Sequence, residues 1–398
     1  MIMDKNPYCV IKNGRIFTSR MFINGGAVVI KDGKILDVLD KDHLKLIPGK
    51  ARIIDAKFNL VVPGFIDIHC HGGGGGDTSD GNIDSLKKIS KAHARFGTTS
   101  MLVTIYPHTK KVIAERLKTV RKVMDENYDK GAKILGSHLE GPYLNPKRSG
   151  ALKKKFFRKP AIGEFLQFIK DSGNTLKMIT IAPELPGAID IIKTCRKFHI
   201  RAAVGHSDAN YEETINGINA GINHVTHIFN AMRRIHHRDP GVMGTVLINN
   251  EVTAELIADF HHVHPVVVTL LLISKHPDKL ALITDSLRFA GLAGKKFKAD
   301  GRTIYIKDGA AHLSDGTFAG SILTMNKAVR NIVDTGRVTI DDALKMASLN
   351  PAKIIGVADR KGSLLPERDA DILILKDRTF DVLMTMVEGR IVFRSSAV

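Results

Sequence analysis

Ile66-Asp67-Ile68-His69-Cys70-His71 ends an apolar run that begins at Leu60, and five glycines, Gly72 to Gly76, follow it. In a strand, residues two apart share a face. His69 and His71 can therefore address one ion while Cys70 points away. The glycines let backbone come close to a metal or substrate. Seven further apolar or β-branched runs follow at 98–104, 133–139, 176–181, 201–204, 224–226, 253–257 and 280–284, against 60–68 for the first. Amphipathic stretches such as 83–95, 110–127, 164–171, 188–198 and 212–220 lie between them, and Gly97, Gly173 and Gly221 sit where three helices would end. Alternating strand and helix implies a parallel sheet, and eight such units close a barrel.

The first ~60 residues read differently. Gly25-Gly26 precedes Ala27-Val28-Val29-Ile30, Asp32-Gly33 makes a hairpin turn, 34–38 returns, and 52–55 is a further strand. After the eighth barrel run, 291–314 is an inserted loop or hairpin region, 322–334 and 340–349 are helical, and short strands return at 370–375, 381–387 and 391–393. The expected fold is α/β: a (β/α)8 TIM-like barrel over 60–349, with a small β-sandwich domain built from 1–59 and 350–398.

Composition narrows the partners. With 43% hydrophobic residues the 398-residue chain can bury a full core, and no stretch has the apolar length to cross a bilayer. The N-terminal stretch lacks the pattern of a secretory signal, so the expected compartment is the cytoplasm. Cys9, Cys70 and Cys195 are odd in number and far apart, which implies no disulfide framework and no Cys-x-x-Cys metal knuckle. The net charge of +18 reads first as a solvated cationic surface, and the same holds for Arg148 and Lys153-Lys154-Lys155. Aromatic residues are 6% with no tryptophan, and no nucleic-acid-binding motif occurs, so neither nucleic acid nor membrane is expected as a partner.

Barrel chemistry sits at the C-terminal ends of the strands. There the sequence places Glu140 in Ser137-His138-Leu139-Glu140-Gly141-Pro142, His206 in Gly205-His206-Ser207, His227 in Val225-Thr226-His227, and Asp285 in Thr284-Asp285-Ser286. Imidazole and carboxylate suit zinc, and also iron or manganese. Asp285 on the last strand neighbours the first and is placed to move a proton to and from water. Asn230, Ala231, Arg238 and His262 lie in the adjoining loops and suit substrate hydroxyls or a phosphate.

Pro63-Gly64-Phe65-Ile66-Asp67, the Glu140 and His206 segments, Thr226-His227-Ile228-Phe229-Asn230-Ala231-Met232, Thr284-Asp285, Gly320-Ser321-Ile322-Leu323-Thr324-Met325 and Asn350-Pro351-Ala352 together resemble the N-acetylglucosamine-6-phosphate deacetylase family of amidohydrolases. The resemblance implies removal of the N-acetyl group to give glucosamine 6-phosphate and acetate. It implies Glu140, His206 and His227 on a principal divalent metal, and His69 and His71, with Glu140 and Asp285, on a second, so one or two ions per subunit. Asp285 would be base and then acid. His262 would contact the sugar. Asn230, Ala231 and Arg238 would surround the phosphate, Arg238 across a homodimer interface. Ala151 and the turn Phe318-Ala319-Gly320 would line the sugar pocket. The family commonly has Gly-Ala-His or Gly-Thr-His where this chain reads Gly150-Ala151-Leu152, and Leu287-Arg288-Phe289 is bulky. The alternatives are another amidohydrolase, acting on a different N-acyl amino sugar, an N-acyl amino acid or a cyclic amide, and, from net charge alone, a non-catalytic nucleic-acid binder.

Overall fold

The computed structural model describes residues 8–294, 296–299, 302–307, 309–316 and 318–396, with 299, 302, 318 and 319 described by backbone alone. Eight parallel strands form the central sheet in chain order: Phe65–Asp67, Thr98–Ile105, Lys133–Glu140, Leu176–Ile181, Arg201–Val204, His224–Val225, Thr253–Ile257 and Leu280–Ile283. Their residues are almost all buried, as continuous apolar runs require when helices cover one face and a packed barrel interior the other. The first and eighth strands meet at the mouth, where the Asp285 N–H donates to the His69 carbonyl at 2.9 Å and Thr284 Oγ1 donates to Asp67 Oδ2 at 2.6 Å.

Local chemistry sets the helices around this sheet. Asn210 and Glu213 exchange side-chain and backbone hydrogen bonds at the start of the helix Tyr211–Ala220. Gly173, at φ 57°, ends the helix Ile162–Ser172 in the left-handed conformation that a side chain would resist. Among the described residues, no helix is long and apolar enough to cross a membrane.

The first apolar run serves two sheets. Leu60–Pro63 pairs antiparallel with Ile372–Leu375 and parallel with part of Tyr8–Phe17, and only Phe65–Asp67 enters the barrel. Gly64 is the joint: a Cβ there would stand 2.0 Å from Thr99 Oγ1. The terminal segments form one eight-stranded sheet in which Tyr8–Phe17 bonds both Ala51–Asp55 and Leu60–Pro63. It doubles over a core shared by Ile11, Val28 and Ile35 from one limb and Ile372, Met384 and Met386 from the other, which gives the small unit its two layers.

The region after the eighth strand forms a four-stranded antiparallel sheet, Lys296–Ala299, Arg302–Lys307, Ala310–Leu313 and Phe318–Ser321. The single helix expected at 340–349 is two, Ile340–Ala347 and Leu349–Ile354. Asn350 fastens the second to the barrel by donating to the carbonyls of Pro277 at 2.9 Å and Leu280 at 2.8 Å. Between the two units lies a fully buried ammonium: Lys361 Nζ is 2.8 Å from Asp371 Oδ2 and 2.9 Å from Asp369 Oδ2.

Candidate metal centre

Three of the rim residues that end barrel strands have left-handed backbone: His206 at φ 48°, His227 at φ 26° and Asp285 at φ 46°. Such backbone is costly for non-glycine residues and collects at functional sites. His206 Nε2 and His227 Nε2 each lie 3.2 Å from Glu140 Oε1. His71 Nε2 is 3.4 Å from Glu140 Oε2 and 3.4 Å from Asp285 Oδ1. His69 Nε2 lies 3.4 Å from Asp285 Oδ1 and 3.6 Å from Glu140 Oε1. Four imidazoles and two carboxylates from the ends of five strands therefore converge, in two groups: Glu140, His206 and His227, and His69, His71 and Asp285.

The donor set fits a divalent cation. His69 Nε2 is buried and has no hydrogen-bond partner, an arrangement that protein interiors rarely leave uncompensated. The electrostatics agree. Burial acts to lower the His69 imidazolium, but Asp285 and Glu255 outweigh it and raise the group to about 10. His71 is raised to about 9, burial being outweighed by hydrogen bonds to Asp285 and Glu140. Burial acts to raise the Glu140 carboxyl, yet hydrogen bonds from His206, His227 and His71 hold it well below the usual carboxylate range. The buried carboxylates thus draw positive charge into a desolvated place, which protons on the histidines or a bound cation would supply.

The loop after the third strand crosses the site. Arg148 O lies 2.8 Å from His206 Nδ1 and fixes its ring, and a Cβ on Gly150 would lie 3.4 Å from Ala231 Cβ and 3.5 Å from His206 Cε1. That brings the Ala151 and Ala231 loops together beside the metal group. Asn230 Nδ2 is turned back on the carbonyls of His227 and Ile228, 3.2 Å from each. His262 Nδ1 is 2.6 Å from Asp259 Oδ2. Gly320, at φ 128°, backs onto Leu287, and the Leu287 N–H donates to Ser321 O at 2.9 Å, so the turn adjoins the eighth-strand rim. The side chains of Phe318 and Ala319 lie outside the described residues. The Arg238 side chain is exposed in the loop after the sixth strand.

Several members of the site escaped the sequence reading. Glu255 is fully buried in the seventh strand and meets His69, His224 and the His227 backbone. His138 lies beneath His69, its ring centroid 4.6 Å away, and burial with the charge on His69 lowers it to about 3. Tyr106 stacks on His71 at 3.8 Å. A signal was present for two of them: an acid inside Thr253-Ala254-Glu255-Leu256-Ile257, and a histidine two residues before Glu140 on the same strand face.

The chain as a whole is similar to known proteins. Residues 60–392 match the Amidohydrolase family. The chain is 37% identical to N-acetylglucosamine-6-phosphate deacetylase of Bacillus subtilis (strain 168), covering 97% of each. It is 34% identical to N-acetylgalactosamine-6-phosphate deacetylase of Escherichia coli O157:H7, covering 96% of this chain and 98% of that one. A solved mutant of N-acetyl-D-glucosamine-6-phosphate deacetylase from Mycobacterium smegmatis, in complex with N-acetyl-D-glucosamine-6-phosphate, superposes with a TM-score of 0.87 at 28% identity, covering 97% of this chain and 99% of that chain. The chain belongs to the metal-dependent amidohydrolase family, among its N-acetylglucosamine-6-phosphate deacetylases.

Proposed function

We infer that this chain hydrolyses the acetamide of N-acetylglucosamine 6-phosphate to glucosamine 6-phosphate and acetate. The observation that carries the reading is the convergence of Glu140, His206 and His227 within 3.2 Å contacts at the barrel mouth, in a chain 37% identical to a deacetylase of that name. Those three residues would hold one ion, and His69, His71 and Asp285 a second. A divalent cation bound there supplies Lewis acidity toward the amide carbonyl and toward water. Asp285, half-buried beside both histidines, takes the proton of the attacking water and returns it to the departing amine. His262, its ring fixed by Asp259, supports the reacting acetamide. Asn230, Ala231 and Arg238 receive the phosphate, and Ala151 with Phe318, Ala319 and Gly320 lines the sugar.

Zinc is the metal we propose, with iron and manganese as the other candidates for this donor set. Two further proposals complete the picture. The catalytic unit runs from Phe65 to Ile354, supported by both chain ends together with Leu60–Pro63. The enzyme is a cytoplasmic homodimer: Cys70 and Cys195 are buried thiols, and Val266, Leu270 and Ile273 expose 69%, 47% and 70% of their surface along one helix, beside Ile248 at 75%. An apolar stripe of that kind on a surface helix suits a second copy of the chain.

The second reading is the 4-epimer, N-acetylgalactosamine 6-phosphate, favoured by the 34% identity to a deacetylase of that name and by Leu152 in place of the family's usual histidine. Acetate release from both sugar phosphates and from unphosphorylated N-acetylglucosamine, with elemental analysis of the same sample, tests the two readings. Equal rates with and without the 6-phosphate would exclude both.

A further inference from the structure

We infer that Glu255 is a positioning residue that links the two candidate ion positions. This rests on the metal reading above. Glu255 lies mid-strand between Ala254 and Leu256, with no exposed surface. A bare carboxylate in such a place is strongly disfavoured, so its partners define its purpose. There are three. Oε2 lies 2.9 Å from His69 Nδ1 and accepts the backbone N–H of His227 at 3.0 Å, and Oε1 lies 3.1 Å from His224 Nε2.

The two contacts of Oε2 reach different ligand groups. By accepting a hydrogen bond from His69 Nδ1–H, the carboxylate favours the tautomer whose Nε2 lone pair is open to an ion in the space shared with Asp285 and Glu140. By accepting the His227 N–H, it stabilises that residue's left-handed turn at φ 26°, and so the direction of the ring that faces Glu140. One carboxylate oxygen thus orients a ligand of each group. An acid kept only to fill the barrel would need neither contact.

The glutamine variant separates charge from shape. In Glu255→Gln the amide oxygen can still accept from His69 and His227. The amide nitrogen then faces His224 Nε2, which becomes an acceptor once the proton moves to His224 Nδ1, 2.7 Å from Thr253 Oγ1. The variant keeps the network's geometry and loses its charge. Full-length wild type, Glu255→Gln and Glu255→Leu are stripped of metal, reloaded with cobalt(II), and compared by ion stoichiometry, affinity against a competing chelator, and visible absorption. We expect Glu255→Gln to bind cobalt about 10–100-fold more weakly with an altered visible band. Glu255→Leu should lose the ion held by His69 and His71. Should Glu255→Leu fail to fold, the glutamine variant decides alone. Wild-type affinity and an unchanged cobalt spectrum in Glu255→Gln would overturn this inference only, whereas a wild type that takes up no cobalt would overturn the metal reading with it.

Discussion

His206 and His227, from neighbouring barrel strands, pack edge to face with ring centroids 5.0 Å apart, and both direct Nε2 at one oxygen of Glu140. His206 Nδ1 faces the Arg148 carbonyl at 2.8 Å, and the tautomer that donates there turns the Nε2 lone pair toward Glu140, where a cation between them would satisfy both. The structure therefore makes its first demand on metal content. Removing the cation with a chelator should abolish acetate release, and zinc, iron(II) or manganese should restore it. His227→Asn should lower metal occupancy and cut kcat/KM at least about a hundredfold. Full activity in metal-stripped protein, checked by elemental analysis, would contradict the assignment.

Asp285 is coupled to the same site from the opposite edge, 3.4 Å from both His69 and His71. If it moves the proton, Asp285→Asn should lower kcat by about 10²–10⁴-fold while the ion held by Glu140, His206 and His227 remains. Single-turnover acetate release and metal analysis on the same preparation check both halves. A variant that turns over normally would end the base assignment.

Arg238 gives the dimer reading a kinetic handle. Replacing Leu270 and Ile273 on the exposed stripe by aspartate should yield a folded monomer by sedimentation velocity. If Arg238 reaches the partner's phosphate site, the monomer should show a raised KM for the phosphorylated sugar with a smaller change in kcat. Arg238→Ala should show the same split without dissociating the dimer.

Lys361 is buried among Asp369, Asp371 and Glu388. Lys361→Met leaves Asp371, itself buried, without its counter-charge. Breaking a buried pair in this way typically costs about 3–5 kcal/mol. A lowered urea midpoint should result. The double variant Lys361→Met with Asp371→Leu should recover part of the loss.

Lys275 supplies the pH test. It is buried, and its Nζ donates to the carbonyls of Val246 and Asn249, each at 2.9 Å. Burial, aided by Lys279, pushes its ammonium down to about 8 from 10.5. Between those values the unfolded chain holds the proton and the folded chain releases it. Its contribution to stability is therefore fully present above pH 10.5 and is lost as pH falls through about 8. Relative to Lys275→Met, which does not titrate, wild type should gain about 3 kcal/mol across that window, read as the difference in urea midpoints. A constant difference would argue against a neutral amine at that position.

Much of this molecule is readable from local pattern because strand and helix periods are local properties. The eight apolar runs, the intervening helices and the rim residues His69, His71, Glu140, His206, His227 and Asp285 all follow from spacing and strand-end position. The 60–68 run illustrates the limit. Its hydrophobicity is continuous, and nothing local says that Leu60–Pro63 bonds to a strand some three hundred residues later while Phe65–Asp67 bonds to the next one. The chain changes sheet at Gly64, where the backbone lies too close to Thr99 for a side chain.

By itself, then, the sequence determined which residue types stand at the strand ends, since alternation along a strand is dictated by backbone geometry. The tertiary structure decided which of them share an ion-sized space and which hold the others in place. Glu255 shows why. A carboxylate inside an apolar strand is unfavourable by every local rule, and it becomes favourable only through His69, His224 and His227, donors from two other strands and the residues just beyond them. Hydrogen bonds act over about 3 Å, and only closing the barrel brings strands so distant in the chain within that reach.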